Sequence, residues 1–500
     1  MIRKIGVKIH NYWIHTDKYY KAEWIVLILV LLFSMISRSY SDMISTNFDA
    51  QRFLQWTFSE KFLRVSEIMS SCPYGLSFFI VYAIGFFPIW IIGMITPYGD
   101  FIAETMGAVI WMKFYLAIFS VGVAYEMLQI AKKLGISKVN RKWLLFAFFS
   151  SLFVFLPVFQ VGQYDIFALF FILLGINFYL EDRNIPFLLS FAFAIPMKYF
   201  ALFIFVPLVL LKYKKIWKIA IELLAGVSFF LYERFIYATL LPSISRMLFG
   251  LGEASGQVAT AASEAAENGT SLFSGESIIS WQVDFFFKNR LTIGNYEISL
   301  VIFALTLVCI GAFVMKRRDT IKEFSYQVVS LSLICLVCFF LFVNSWNSYW
   351  IVLIAPFLLL FVFANSSNLR LNIILETVIT VITVIGKMLH QNWVFGGQYG
   401  FFYGILKYTN PRPMNVGYLL DKYKFSKYYF VFYAILIACL IVFLIYNLWT
   451  ERKRRLLVDA DGPNTDIDAL DTIVSRGWWW LRIALLLVVT FAELYLAYWQ

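Results

Sequence analysis

An aspartate after the first apolar run is the first residue placed for acid–base chemistry. Asp49 stands in the stretch NFDAQRF, about one helical turn before Arg52. A carboxylate close to a membrane surface can remove the proton of a hydroxyl acceptor, and general-base catalysis contributes roughly 10²–10⁴-fold to a rate. We therefore predict that Asp49 is a catalytic base, with Asp42 and Asp165 as alternatives. An ordinary solvated surface carboxylate is the competing interpretation.

A lysine interrupts the long apolar stretch 186–211, in the motif PMKYF. Since this stretch begins and ends on the same side of the membrane, we predict two short helices that meet at Lys198. Helices of about 12 residues reach only about 18 Å, which places the lysine below the external surface. An ammonium at that depth needs an anion beside it, so we predict that Lys198 binds a phosphate. The alternative is a lysine that snorkels to the interface.

Polar residues also open another apolar run, in the sequence FQVGQYD at 159–165. Gly162 permits a tight turn there, and Gln163 and Asp165 can cap the helix that follows. Capping accounts for Asp165 but leaves the neighbouring amides and tyrosine unexplained. We predict sugar or phosphate contacts by a group of residues that share this region or the PMKYF motif: Gln163, Tyr164, Asp165 and Tyr199.

Further cations and aromatic residues lie where loops meet predicted membrane helices. The additional candidates for binding an anionic donor are Arg52, Arg234, Arg246 and Lys113. His390 and Trp393 are candidates for contact with an acceptor sugar. Interfacial anchoring is the alternative for Arg234 and for Trp393.

The composition requires a membrane environment. Hydrophobic residues make up 61% of the 500 residues and charged residues 15%, with a mean hydropathy of +0.74. The net charge of +11 resides in short basic clusters between apolar runs, a pattern typical of membrane topology rather than of nucleic-acid binding. The cysteines lie mainly in apolar runs and form no Cys/His cluster, so neither a disulfide framework nor a structural zinc site is implied. No cofactor is predicted, and a divalent metal is left open.

Alternation of basic clusters predicts an all-α polytopic protein of about 13 transmembrane helices with a cytoplasmic N-terminus. The segment 76–96 breaks the alternation unless it lies within the first external loop, 38–102, as a membrane-embedded or interfacial helix. Further external loops are predicted at 237–296, partly flexible, and at 390–427. The predicted helices cover about 22–38, 103–130, 143–159, 165–180, two within 186–211, 216–236, 297–315, 325–343, 349–364, 371–389, 428–448 and 477–497.

This layout and its short motifs resemble the GT-C superfamily of polytopic glycosyltransferases, best over the first half of the chain. The acidic residue in the first external loop of those enzymes corresponds to Asp49. Their juxtamembrane helices correspond to RFLQWTFSEKFLRVS and CPYGLSFFIVY. GQYD followed by AIPMKYFALFIFVPLVLLKYKK is similar to an arrangement in bacterial polyprenol-phosphate mannosyltransferases, with their lysine at Lys198. Many relatives carry an acidic pair, whereas NFDAQ holds a single aspartate, and no Trp-Trp-Asp motif is present.

The resemblance implies a plasma-membrane enzyme with an extracytoplasmic active site. Residues 1–236 would form the catalytic module and residues 297–500 a variable C-terminal module. A sugar would pass, with inversion, from an undecaprenyl-type polyprenyl phosphate to a cell-wall or surface glycopolymer or a glycolipid. The alternatives are a lipid-linked oligosaccharide flippase or ligase, and a secondary transporter. A divalent metal is not implied.

Overall fold

The computed structural model describes most of the chain. It covers residues 18–37, 41–59, 75–233, 289–293, 296–343, 347–365, 368–390, 420, 422–461 and 476–498. Of the predicted external loops, nearly all of 237–296 and of 390–427 lies outside these residues.

Helices account for nearly all of the described elements. In chain order they are α1 (Lys18–Ser37), α2 (Ser41–Thr57), α3 (Leu76–Ile95), α4 (Met106–Lys133), α5 (Lys138–Phe149), α6 (Leu152–Val161), α7 (Asp165–Leu180), α8 (Asn184–Met197), α9 (Phe200–Lys212), α10 (Ile216–Tyr232), α11 (Leu300–Val314), α12 (Ile321–Phe342), α13 (Ala355–Ala364), α14 (Leu369–His390), α15 (Tyr429–Asp461) and α16 (Arg476–Tyr498). Strands β1 (Arg290–Ile293) and β2 (Tyr296–Ser299) pair antiparallel, with Leu291 opposite Ile298. The sequence does not predict this hairpin, because four-residue strands are too short to show a period.

The protein is a helical, multi-pass membrane protein. Among the described residues, five helices are long and apolar enough to cross a bilayer, or six if the bent pair α5–α6 is one span. Shorter apolar helices of 10–17 residues accompany them. The predicted total of about 13 spans stays a prediction, although most of the predicted helical segments are helices.

The predicted break in the stretch 186–211 is confirmed. Helix α8 ends at Met197 and α9 begins at Phe200, so that Lys198 and Tyr199 form the connection. Helix α15 departs from expectation: it continues to Asp461, well past the predicted end near residue 448. The residues ERKRRLL that prolong it are mostly strong helix formers, which outweighs the loss of apolar character.

The chain divides into two compact units. The first unit comprises the segments Met1–Ser41, Ala131–Gln163 and Ser348–Gln500. The second comprises Asp42–Ile130 and Tyr164–Asn347, and it contains most of the candidate site.

In the first unit a buried arginine ties α16 to two other helices. Arg482 pairs with Glu376 of α14, and it donates to the carbonyl of Ala147 at 2.8 Å and to Ser150 Oγ at 3.0 Å. Arg482 and Glu376 are 2% and 1% exposed. Every charge in this cluster therefore has a partner, which is the condition for keeping ions inside a low-dielectric core.

In the second unit α3 and α4 pack antiparallel. Trp111 Nε1 donates to the carbonyl of Gly85 at 2.8 Å, and the Tyr115 hydroxyl donates to the carbonyl of Val81 at 3.0 Å. A Cβ at Gly85 would lie 2.3 Å from the Tyr115 ring, so glycine permits this close approach. Other apolar residues of α3, such as Ile84 and Ile95, are exposed. This exposed stripe favours contact with lipid, as expected for a membrane-embedded helix.

Candidate functional site

A buried ion pair lies at the centre of the second unit. Asp165 Oδ1 and Lys198 Nζ are 2.6 Å apart, and their side chains are 0% and 9% exposed. Asp165 is the first residue of α7, and Lys198 caps the C-terminus of α8. Each charge thus faces the helix end of opposite partial charge, which stabilises it further.

The structure corrects the predicted capping role of Gln163 and Asp165. The N-cap residue of α7 is Tyr164, and no side chain makes a capping hydrogen bond there. The Asp165 carboxylate pairs with Lys198 instead. A buried ammonium without a counter-ion costs more free energy than a backbone N–H of the first helical turn without a side-chain acceptor. The anion beside Lys198 is therefore supplied by the chain itself.

Aromatic rings enclose this ion pair. The Tyr164 ring lies 4.6 Å from that of Phe78 and 6.1 Å from that of Tyr82, centroid to centroid. Lys198 Nζ lies 5.9 Å from the Tyr164 ring centroid, within range of a cation–π interaction. Tyr199 is half-buried, with its ring 4.6 Å from that of Phe200. Two of the predicted sugar-contact residues, Tyr164 and Tyr199, thus lie beside Lys198.

Helix α2 brings two carboxylates to this region. Asp42 and Asp49 are seven residues apart, about two turns, and so share one face of the helix. Both interact electrostatically with Tyr82, and Asp42 also interacts with Asp165. The sequence predicts Asp49 as the base with Asp42 as an alternative, whereas in the structure the two carboxylates share one face of α2.

A buried amide fixes α2 in place. Asn47 accepts a 2.7 Å hydrogen bond from the Tyr82 hydroxyl and donates to the carbonyl of Ala103 at 3.2 Å. Both Asn47 and Tyr82 are fully buried. The phenol of Tyr82 was missed as a site residue because LSFFIVYAIG shows only an apolar run. A tyrosine that reaches a partner from within such a run is a signal that could have been used.

A second unpredicted contact holds the start of α3. Glu233, which follows α10, accepts a 2.8 Å hydrogen bond from the backbone N–H of Ser77. A Cβ at Gly75 would lie 1.9 Å from Glu233 Oε2, so the carboxylate fits only beside glycine. The two partners of this cap are 156 residues apart, so no local sequence pattern predicts it.

The remaining predicted site residues fall in several places. Arg52 is exposed on α2, and Lys113 is buried in α4. Gln163 is buried at the end of a segment of the first unit. His390 is the last residue of α14, and its side chain lies outside what the structure describes; so do Arg234, Arg246 and Trp393.

No protein-family model matches the chain, and no curated protein matches it. Within the described ranges, no group of three His, Cys, Asp or Glu side chains lies close enough to hold a metal ion. The chemistry available to the site is that of an acidic helix face, a buried lysine with its own carboxylate, and tyrosine rings.

Proposed function

We propose that the protein is a membrane glycosyltransferase of the GT-C type. It transfers a sugar from a polyprenyl phosphate to an extracytoplasmic hydroxyl acceptor, on a glycopolymer or a glycolipid at the plasma membrane. The observation that carries this proposal is the hydrogen bond between Asn47 of α2 and Tyr82, which holds the acidic face of α2 within electrostatic range of Tyr82 and, through Asp42, of Asp165. It supports the resemblance to the GT-C superfamily.

In the proposed reaction Asp49 takes the proton of the acceptor hydroxyl. The acceptor oxygen then forms a bond to the anomeric carbon as the bond from that carbon to the phosphate oxygen breaks. The electron pair stays on the polyprenyl phosphate, and the configuration inverts. Lys198, with Arg52 as an exposed second cation, stabilises the charge that develops on the phosphate.

Replacing the base tests the proposal. With polyprenyl-phosphate hexoses as donors, Asp49→Asn should lower kcat by at least about 10²-fold, since it removes the general base. The KM for the donor should change little, because Asp49 does not contact the phosphate in this mechanism. Radiolabelled sugar transfer by the purified protein measures both constants.

Asp100→Asn is the matched control. Asp100 is an exposed aspartate of the same unit, hydrogen-bonded at 2.8 Å to Gln55 of α2, and its replacement should leave kcat near wild type. Asp42→Asn separates the two acids: a loss confined to Asp42→Asn would make Asp42 the base. Absence of transfer from every donor, or equal rates for wild type and both α2 variants, would contradict the proposal.

A transport function is the second candidate, because buried ion pairs such as Asp165–Lys198 also occur along ion pathways in membranes. A flippase or secondary transporter would move its substrate across proteoliposomes without forming a glycosidic bond. A ligase would transfer a lipid-linked polymer and tolerate Asp49→Asn. Flux and transfer measured on the same preparation separate these functions.

A further inference from the structure

Three connections between helices meet at one end of the second unit. Arg317, in the connection from α11 to α12, donates to both carboxylate oxygens of Asp182 at 2.6 Å, and Asp182 follows α7. Lys214, between α9 and α10, donates to the carbonyls of Ala312 and Phe313 at 3.1 and 2.6 Å. These contacts gather the turns at 181–183, 213–215 and 315–320 into one surface.

The acidic groups at this end are largely engaged within the protein. The hydrogen bonds from Arg317 hold the pKa of the Asp182 carboxyl below its usual value, so this group stays charged and paired. Glu222 accepts hydrogen bonds of 2.9 and 3.0 Å from the side-chain amide of Asn184. Exposed cations remain on the same surface, which we name the basic edge: Lys215, Lys218, Lys316, Arg318 and Lys322.

The basic edge carries a net positive charge. Its cations form no ion pair with any residue that the structure describes. The acids beside it are Glu181, Glu222, Asp319 and Glu323, fewer than the five cations, and Glu181 is paired with Arg183 at 3.6 Å. Such a surface attracts an anionic partner from the surrounding medium.

The surface turns from basic to apolar directly beside these cations. Ile216 and Trp217 are 81% and 59% exposed, and exposed Ile221 and Leu224 follow along α10. On α11 the exposed stripe runs to Val314 and Met315, immediately before Lys316. An exposed tryptophan between lysines and an apolar stripe is typical of the boundary between lipid headgroups and acyl chains. The basic edge therefore lies at the level of the headgroups.

We propose that the basic edge is a binding surface for the phosphate groups of anionic phospholipids in the leaflet that it faces. Lys215, Lys218, Lys316 and Arg318 contact the phosphates, while Trp217 packs at the level of the glycerol backbone. A soluble acidic partner would meet the cations but leave the adjoining apolar stripes uncovered, whereas a lipid covers both. This binding does not depend on the glycosyltransferase proposal.

Removing two cations tests this binding surface. In mixed micelles, native mass spectrometry should show that the full-length protein binds phosphatidylglycerol more tightly than phosphatidylcholine. Lys215→Gln with Lys218→Gln should weaken phosphatidylglycerol binding by about 25-fold, since each lysine near a lipid surface contributes about a fivefold factor. Binding of phosphatidylcholine should be unchanged, which also shows that the variant is folded.

Lys422→Gln with Lys427→Gln is the matched control. These exposed lysines lie beside Tyr423 and Tyr428 as Lys218 lies beside Trp217, with ammonium-to-ring distances of 5.9, 5.0 and 5.4 Å. The control should keep the full preference for phosphatidylglycerol. An equal loss in both variants, or a preference unchanged by raising the salt from 0.05 to about 0.5 M, would overturn the proposal. Displacement of the lipid by millimolar inorganic phosphate would overturn it in favour of a site for free phosphate.

Discussion

At the scale of residues, the pairing of Asp165 with Lys198 decides how the site can work. A buried lysine needs an anion, and the carboxylate 2.6 Å away supplies one before any substrate arrives. A donor phosphate must therefore compete with Asp165 for the ammonium. The enzyme that we propose would bind its donor by exchanging one buried ion pair for another.

Replacement of Asp165 should show the cost of leaving the lysine alone. Asp165→Asn removes the counter-ion of a buried ammonium, and breaking such a pair costs about 3–5 kcal/mol of unfolding free energy. The double variant Asp165→Asn with Lys198→Met should recover most of that loss. Thermal unfolding in detergent measures both, and a double variant no more stable than the single one would contradict the buried pair.

At the scale of elements, α2 depends on one amide for its position. Asn47 binds both Tyr82 of α3 and the carbonyl of Ala103, so it connects the acidic helix to the α3–α4 hairpin. The exposed apolar stripe of α3 faces away from these contacts. The acids of α2 are thus held by a helix that also carries an exposed apolar stripe.

Asn47→Ala should loosen α2 without changing its carboxylates. The variant loses two buried hydrogen bonds, worth roughly 1 kcal/mol each, and leaves the Tyr82 hydroxyl without its acceptor. Hydrogen exchange of the amides at 42–57 should become faster, while exchange in α7 stays as in wild type. Ser45→Ala is a control on the exposed side of the same helix. Unchanged exchange in α2 would show that other contacts position it.

At the scale of the whole molecule, each unit has a polar cluster in its core. The second unit has the Asp165–Lys198 pair, and the first has Arg482 with Glu376, Thr377, Ser150 and the carbonyl of Ala147. The last helix, α16, is therefore an integral part of the first unit. Its arginine lies within the core of that unit, with a side chain that is 2% exposed.

Arg482→Met should destabilise the first unit by about 3–5 kcal/mol, because Glu376 is left buried without its counter-ion. Glu376→Gln in the same chain should restore much of the stability, since a neutral amide needs no cation. Thermal unfolding followed by tryptophan fluorescence measures the difference. Similar stability of the wild type and Arg482→Met would show that the cluster contributes little.

The sequence predicted individual elements better than it predicted their partners. Helix α7 and the break at Lys198 follow from local patterns of apolar runs, proline and charge, and both are confirmed. Asp42 and Asp49 are seven residues apart in the sequence, but this spacing places them on one face only if residues 41–57 form a helix, as the structure shows. The bonds Asp165–Lys198 and Asn47–Tyr82 join distant parts of the chain, and no periodicity reports such contacts.

The cap that Glu233 places on α3 has a consequence for biogenesis. Ser77 leaves the ribosome 156 residues before its partner, an interval of roughly 8–30 s at 5–20 residues per second. During that interval the amino end of α3 presents backbone N–H groups that its final partner cannot yet reach. Helix α3 therefore completes the hydrogen bonding of its amino end only after Glu233 has been synthesised, and a chain stalled before residue 233 leaves that end of α3 without its carboxylate partner.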